Sequence, residues 1–217
     1  MLSTRHDSVI YDRQIQIFDP GQFSKITIAI IGLGNIGSNA GIQLARLGLI
    51  NFILIDHDHV ESHNLNSQHY TVKDNGKSKA ESLAGQMKKI NPKVKIITKI
   101  EEYHGESLDA SILISAVDSM TIRADINAGM IKNKYAPFVI DGRAGGGQLE
   151  IHSQPAELWG ATLVADADTD PCGARFIGYA STIIGGMIAN QTKRHLRDES
   201  LKAKILFHCD TYQILTA

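Results

Sequence analysis

Five short runs of apolar and β-branched residues punctuate the first two-thirds of the chain: KITIAII at 25–31, NFILID at 51–56, KVKIITKI at 93–100, SILISAV at 111–117 and PFVIDG at 137–142. Between them stand segments with helical period and composition, notably NIGSNAGIQLARLG, KSKAESLAGQMKKI and TIRADINAGMIKNK. Strand-length runs without polar alternation are buried on both faces, and their regular exchange with helices predicts an α/β fold: a doubly wound, mainly parallel sheet. Beyond Gly142 the texture changes. GRAGGGQLEIHS reads as a glycine-rich turn into another strand, and QPAELWGATLVADADTDPCGARF, with little periodicity, as a long surface loop at about 154–176. A C-terminal helix is expected at about 178–196, with basic residues in its last turn, where cations suit the helix dipole. AKILFHCD reads as a last strand with no legible partner.

Composition adds limits. With 217 residues, 43% of them hydrophobic, the chain can bury a sizeable core, and one domain over 1–217 is expected. Lys and Arg total 22 against 23 acids, so the net charge of −1 exerts no general pull on nucleic acid or an anionic membrane. Neither is expected as a partner. Two cysteines without a CxxC pair give neither a disulfide framework nor the usual four-ligand zinc site, so no structural zinc is expected. MLSTRHDSVIYDRQ has no apolar targeting segment and no run is long enough to span a bilayer, which points to a cytoplasmic protein.

The first candidate chemistry lies in IAIIGLGNIGSNAGIQLARLG. Gly32, Gly34 and Gly37 keep the G-x-G-x-x-G spacing, directly after a strand and opening a helix. Glycines there let the backbone turn tightly and approach a phosphate, whose charge meets the amides of a helix N-terminus, so the sheet is of Rossmann-like type. Asp56, 19 residues beyond Gly37, ends the second strand where a carboxylate can accept from ribose hydroxyls. This much leaves NAD and ATP both open.

DHDHVESHNLNSQHY at 56–70, with DNGKSKAESL and the early YDRQIQIF, resembles the superfamily of ThiF/MoeB adenylyltransferases and ubiquitin-activating enzymes. The family pattern runs Y-x-R-Q-I, D-x-D-x-V, N-L-x-R-Q and G-x-x-K-A, and the resemblance covers roughly residues 10–200. It implies an ATP-dependent adenylyltransferase that needs Mg2+, works as a homodimer and activates the C-terminal carboxylate of a ubiquitin-like or sulfur-carrier protein. By position, Asp56 would hold the ribose and Asp58 would lie near the phosphates or metal. Asn64 and Gln68 would donate to phosphate or adenylate, and Lys79 would neutralise phosphate charge. Asp118 would bind magnesium beside the α-phosphate; its alternative reading is a helix N-cap. Arg13 would reach into the ATP site of the partner subunit. Cys172 takes the place of the thioester cysteine of the compact activating enzymes, or is a small loop thiol.

The chain departs from the pattern at Ser67, where the family has arginine. Loss of a charge-assisted phosphate contact removes on the order of 2–4 kcal/mol of transition-state stabilisation. Lys73, Lys77 or Arg13 would have to supply that charge; otherwise the protein binds nucleotide without turnover. An NAD-dependent oxidoreductase is the other reading, but it leaves Asn64, Gln68 and Lys79 without work. The irregular spacing of His57, His59, His63 and His69 along one loop argues against a metal site. Cys209 reads as a core residue. Asp141 and Arg143, after the fifth run, either guide a substrate tail or pair with each other.

Overall fold

The computed structural model describes residues 10–163 and 177–217. β1 (Thr27–Ile31), β2 (Asn51–Ile55), β3 (Lys95–Lys99), β4 (Ile112–Ser115), β5 (Phe138–Gly145), β6 (Gln148–Pro155), β7 (Lys204–His208) and β8 (Gln213–Thr216) form one sheet, in the order β3-β2-β1-β4-β5-β6-β7-β8. β1 to β5 run parallel, with β1, β2, β4 and β5 buried on both faces and β3 a partly exposed edge strand, and β6 to β8 continue antiparallel. Alternate residues of β1 serve the two faces: Ile28 and Ile30 join the core beneath α1 (Asn35–Leu47) and α2 (Lys79–Ile90), Ala29 and Ile31 the other. Each fully buried aliphatic side chain stabilises the fold by roughly 1.5–3 kcal/mol. α5 (Gly178–Leu196) packs on α1 in the first layer. α3 (Met120–Asn133) and the short α4 (Ala156–Trp159) contribute to the second core through Ile126, Met130 and Trp159.

Helix boundaries follow local chemistry. Gly48, with φ +97°, ends α1; the Ser78 hydroxyl accepts from Glu81 N–H to begin α2; the Ser119 hydroxyl accepts from Thr121 N–H to begin α3.

Three expectations change. The fifth strand runs on to Gly145, so Asp141 and Arg143 lie inside it and are buried. The stretch taken for a loop from 154 begins with the end of β6, then α4 and a 3-10 turn at Gly160–Thr162; Trp159 is wholly buried there. A helix of four residues is too short to show a period, which is why pattern alone reads it as loop. The strand in AKILFHCD pairs with β6 on one side and β8 on the other.

Candidate functional site

β1 and β4 are neighbours in the sheet although β2 and β3 lie between them in sequence. The winding reverses there, and the loops leaving the two carboxyl ends part towards opposite faces, which opens a crevice. A cleft of about 860 Å³ fills this place. Gly32, Gly34, Asp56, Asp58, Gln68, Lys79 and Asp118 all line it, drawn from five separate stretches of chain.

The glycine loop is held by its neighbours. Gly32 has φ +80°, and a Cβ there would stand 2.8 Å from the Ala116 carbonyl oxygen, so no other residue fits this crossing. At Gly37 a Cβ would fall 1.9 Å from the Gly32 oxygen; the third glycine lets α1 pack against the loop and does not itself face the cleft. Gly34 is open, its nearest neighbour being Gln68 Nε2 at 3.9 Å from a built Cβ. Gly34 has no side chain to cap α1, so the first-turn amides have no side-chain partner from the cap position. Asp56 ties the loop to the next one: Oδ2 accepts from Leu33 N–H at 2.6 Å and Oδ1 from Asp58 N–H at 2.8 Å. The Tyr70 hydroxyl, donating to the Leu33 carbonyl at 2.7 Å, fixes the loop from below. Burial, with Asp56 nearby, keeps that phenol protonated far above its ordinary range.

Lys79 is the first residue of α2 and only 7% exposed, yet its Nζ reaches the cleft and donates to Asp58 Oδ2 at 2.7 Å. Partial burial opposes charge on Asp58, but the Lys79 hydrogen bond and charge, with His57 and His59, outweigh it and hold the carboxyl below its usual range. Asp118 stands exposed at the exit of β4, and because Ser119 caps α3, capping is not its role. Gln68 Oε1 is buried without a hydrogen-bond partner among the described residues. Buried acceptors are normally satisfied, and since amide O and N are interchangeable by a flip, Gln68 offers the cleft a polar atom in search of a ligand.

Other expected residues lie elsewhere. Asn64 is not at the cleft: its Oδ1 accepts from Glu61 N–H at 2.9 Å, closing a capping box around the 3-10 turn Ser62–Asn66. The Ser67 hydroxyl donates to Asn35 Oδ1 at 2.7 Å, at the first residue of α1. Lys73 and Lys77 are exposed and do not line the cleft. Arg13 is exposed and is not among the residues that line the cleft. Cys172 lies outside the described residues, and Cys209 is buried in the core. Asp56, His57 and Asp58 bring potential metal-ligand atoms within 4.8 Å of one another, but Asp56 is occupied by two amides and Asp58 by Lys79.

The far half of the cleft escaped the sequence reading. Glu101 to His104 follow β3, and Thr121, Ile122 and Asp125 come from α3. His104 Nδ1 lies 2.6 Å from Asp125 Oδ2, and that bond raises the imidazole pKa. The available signal was position: both groups follow carboxyl ends of parallel strands.

The ThiF family matches residues 11–214. The chain belongs to the ThiF family. The tRNA threonylcarbamoyladenosine dehydratase of Escherichia coli K12 is 35% identical over 161 residues, covering 70% of this chain and 57% of the dehydratase, so the chain spans little more than half of that relative. The sulfur carrier protein ThiS adenylyltransferase of the same organism is 29% identical over 199 residues, covering 83% of this chain and 77% of the relative. Among solved structures, E. coli MccB superposes with a TM-score of 0.80 at 17% identity, over all of this chain and 70% of MccB, a likeness of fold. This ThiF-family chain therefore shares its Rossmann-like α/β fold with MccB. Among its described residues no helix is long and apolar enough to cross a membrane.

Proposed function

We propose that this ThiF-family protein is an ATP-dependent adenylyltransferase that activates a carboxylate, the C-terminal carboxylate of a ubiquitin-like or sulfur-carrier protein. One observation carries the reading: the glycine loop, Lys79, Asp118 and the orphaned Gln68 amide converge on one cleft. The residues fit a nucleoside triphosphate. Gly34 leaves room for close backbone approach, the α1 amides favour negative charge, and Lys79 is the one Lys or Arg among the described lining residues. An NAD site needs no such cation at this point, and a thermal-shift comparison of NADH with Mg-ATP separates the two.

In this reading a carboxylate oxygen attacks the α-phosphorus, the bond to the β-phosphate oxygen breaks, and pyrophosphate leaves with the electron pair. Two anions must approach, so catalysis rests on positive charge and orientation. Lys79 leaves Asp58 for the phosphates, Asp56 keeps the loop in register and offers its remaining lone pairs to the ribose, and Gln68 donates to the phosphates. Asp118 would hold Mg2+, which when bound neutralises phosphate charge and orients the leaving group. Arg13, exposed on this subunit, would serve the other cleft of a homodimer. Transfer to Cys172 as a thioester is a second step of the same proposal.

The dehydratase relative favours one rival acceptor, the carboxylate of a threonylcarbamoyl group on tRNA. Exchange of labelled pyrophosphate into ATP, run separately with carrier proteins and with such a tRNA, tests both. Exchange is expected with a carrier protein and expected to vanish in Asp118→Ala; exchange with tRNA alone replaces the substrate, and exchange untouched by Asp118→Ala removes the catalytic assignment.

A further inference from the structure

α3 forms one wall of the cleft, yet it has little apolar surface with which to hold its place. Its cleft side carries Thr121, Ile122 and Asp125, and its buried side Arg123, Ile126 and Met130. The first of these buried residues is a cation. Arg123 is wholly buried; its Nε donates to Asp141 Oδ1 at 2.9 Å and its Nη2 to the Gly142 carbonyl at 3.0 Å. Asp141, also wholly buried, gives its second oxygen to Arg143 Nε at 2.9 Å and Trp159 Nε1 at 3.1 Å. Arg143 continues to Thr162, donating to its carbonyl and hydroxyl at 3.0 Å each.

We infer that Asp141, acting through Arg123, is a positioning residue for Asp118. The chain of contacts is short. Arg123 N–H bonds the Ser119 carbonyl at 3.1 Å, within the turn that Asp118 enters, so fixing the guanidinium fixes the start of α3. An apolar contact would tolerate sliding and rotation of the helix. A guanidinium held at two defined acceptors on β5 does not, because its fork is rigid and both bonds are directional. Among the described residues the hub sets two arginines against one carboxylate, and buried ion pairs are poor sources of net stability, so position is what this arrangement provides. The two arms differ in reach. Arg123 belongs to the cleft wall; the hydrogen bonds of Arg143 among the described residues go to Asp141 and to the turn at Thr162.

That difference supplies the test, which rests on the adenylation reading and on Asp118 in particular. Arg123→Met and Arg143→Met each leave Asp141 with one arginine and a balanced pair, so a merely structural hub predicts equal effects. Positioning predicts that Arg123→Met lowers kcat for pyrophosphate exchange on the order of 10- to 100-fold. It also predicts a raised Mg2+ requirement with KM for ATP unchanged, because Gly32, Gly34, Asp56 and Lys79 stand on other elements. Arg143→Met keeps kcat. Arg123→Lys, which retains the charge and loses the fork, follows Arg123→Met and decides the matter if the methionine variant does not fold. Wild-type kcat in the Arg123 variants, or equal losses in both arms, overturns the inference while leaving the adenylation reading intact. Exchange indifferent to Asp118→Ala removes Asp118 from the chemistry and the inference with it, whereas no exchange with any acceptor overturns the adenylation reading itself.

Discussion

Lys79 shows how one residue can be stored and used. Its side chain is nearly buried, and Asp58, 2.7 Å away, gives the ammonium a partner. Because the Asp58 side chain is 51% exposed, the pair is worth roughly 0–1 kcal/mol, little enough for a triphosphate to displace it. Ser67 is the opposite case, a charge the family pattern has and this chain lacks. Its hydroxyl spends itself on Asn35 at the head of α1, while Asn39 holds only its backbone carbonyl, so a larger side chain leaves that second bond untouched. Ser67→Arg is therefore expected to raise kcat/KM for ATP in pyrophosphate exchange by about tenfold or more, as a restored charge-assisted contact would. An unchanged value would mean that Lys79 and the α1 amides already meet the phosphate charge, and that the missing arginine has no vacancy to fill.

Among the elements, the strand–loop–helix unit from β1 to α1 depends most on a single atom. Replacing Gly37 with alanine puts a methyl 1.9 Å from the Gly32 oxygen, which is backbone and cannot swing aside. The helix must lift off the loop, and a loss of about 1–3 kcal/mol is expected in urea unfolding, with weakened ATP binding in the same variant. This unit was legible in the sequence because glycine spacing, an apolar run and a helical period all point the same way. β1, β2, β4 and β5 were legible for a similar reason, each being an apolar run buried on both sides, and the partly exposed edge strand β3 was legible from its β-branched composition alone. β8 and α4 were not. β8 is exposed along its whole length and takes its register from β7, and α4 is placed by Trp159 reaching Asp141, 18 residues earlier in the chain. Asp58 and Lys79 were found together because the family pattern names both. The Asp141–Arg143 pairing had its own signal, since residues two apart on a strand share a face. It was obscured by ending the fifth strand at Gly142, which left Arg143 in a turn.

Across the whole molecule, the strands beyond the cleft carry ionic groups that make the fold sensitive to acid. β5 and β6 pair with Asp141 opposite His152 and Arg143 opposite Glu150, and β7 brings Lys204 beside His152. Burial works against charge on Asp141, but Arg123 and Arg143 outweigh it and hold the carboxyl at about 2. The His152 hydrogen bond, with Lys204, holds Glu150 at about 2 against its own burial. In the unfolded chain these groups titrate near 3.8 and 4.5. Relative to its protonated form, each depressed carboxylate therefore contributes stability that is complete above its unfolded pKa and disappears as pH falls towards 2, roughly 2–3 kcal/mol apiece. Glu150→Gln separates the two contributions while keeping the hydrogen bonds of the hub, since Glu150 bonds His152 and Lys204 and does not line the cleft. The variant is expected to be less stable than wild type at pH 7, to converge with it as pH approaches 2, and to show a flatter dependence between pH 4.5 and 2 in urea unfolding. A constant gap across that range would mean that Glu150 stabilises the sheet through packing and neutral hydrogen bonds, with no share in the proton linkage.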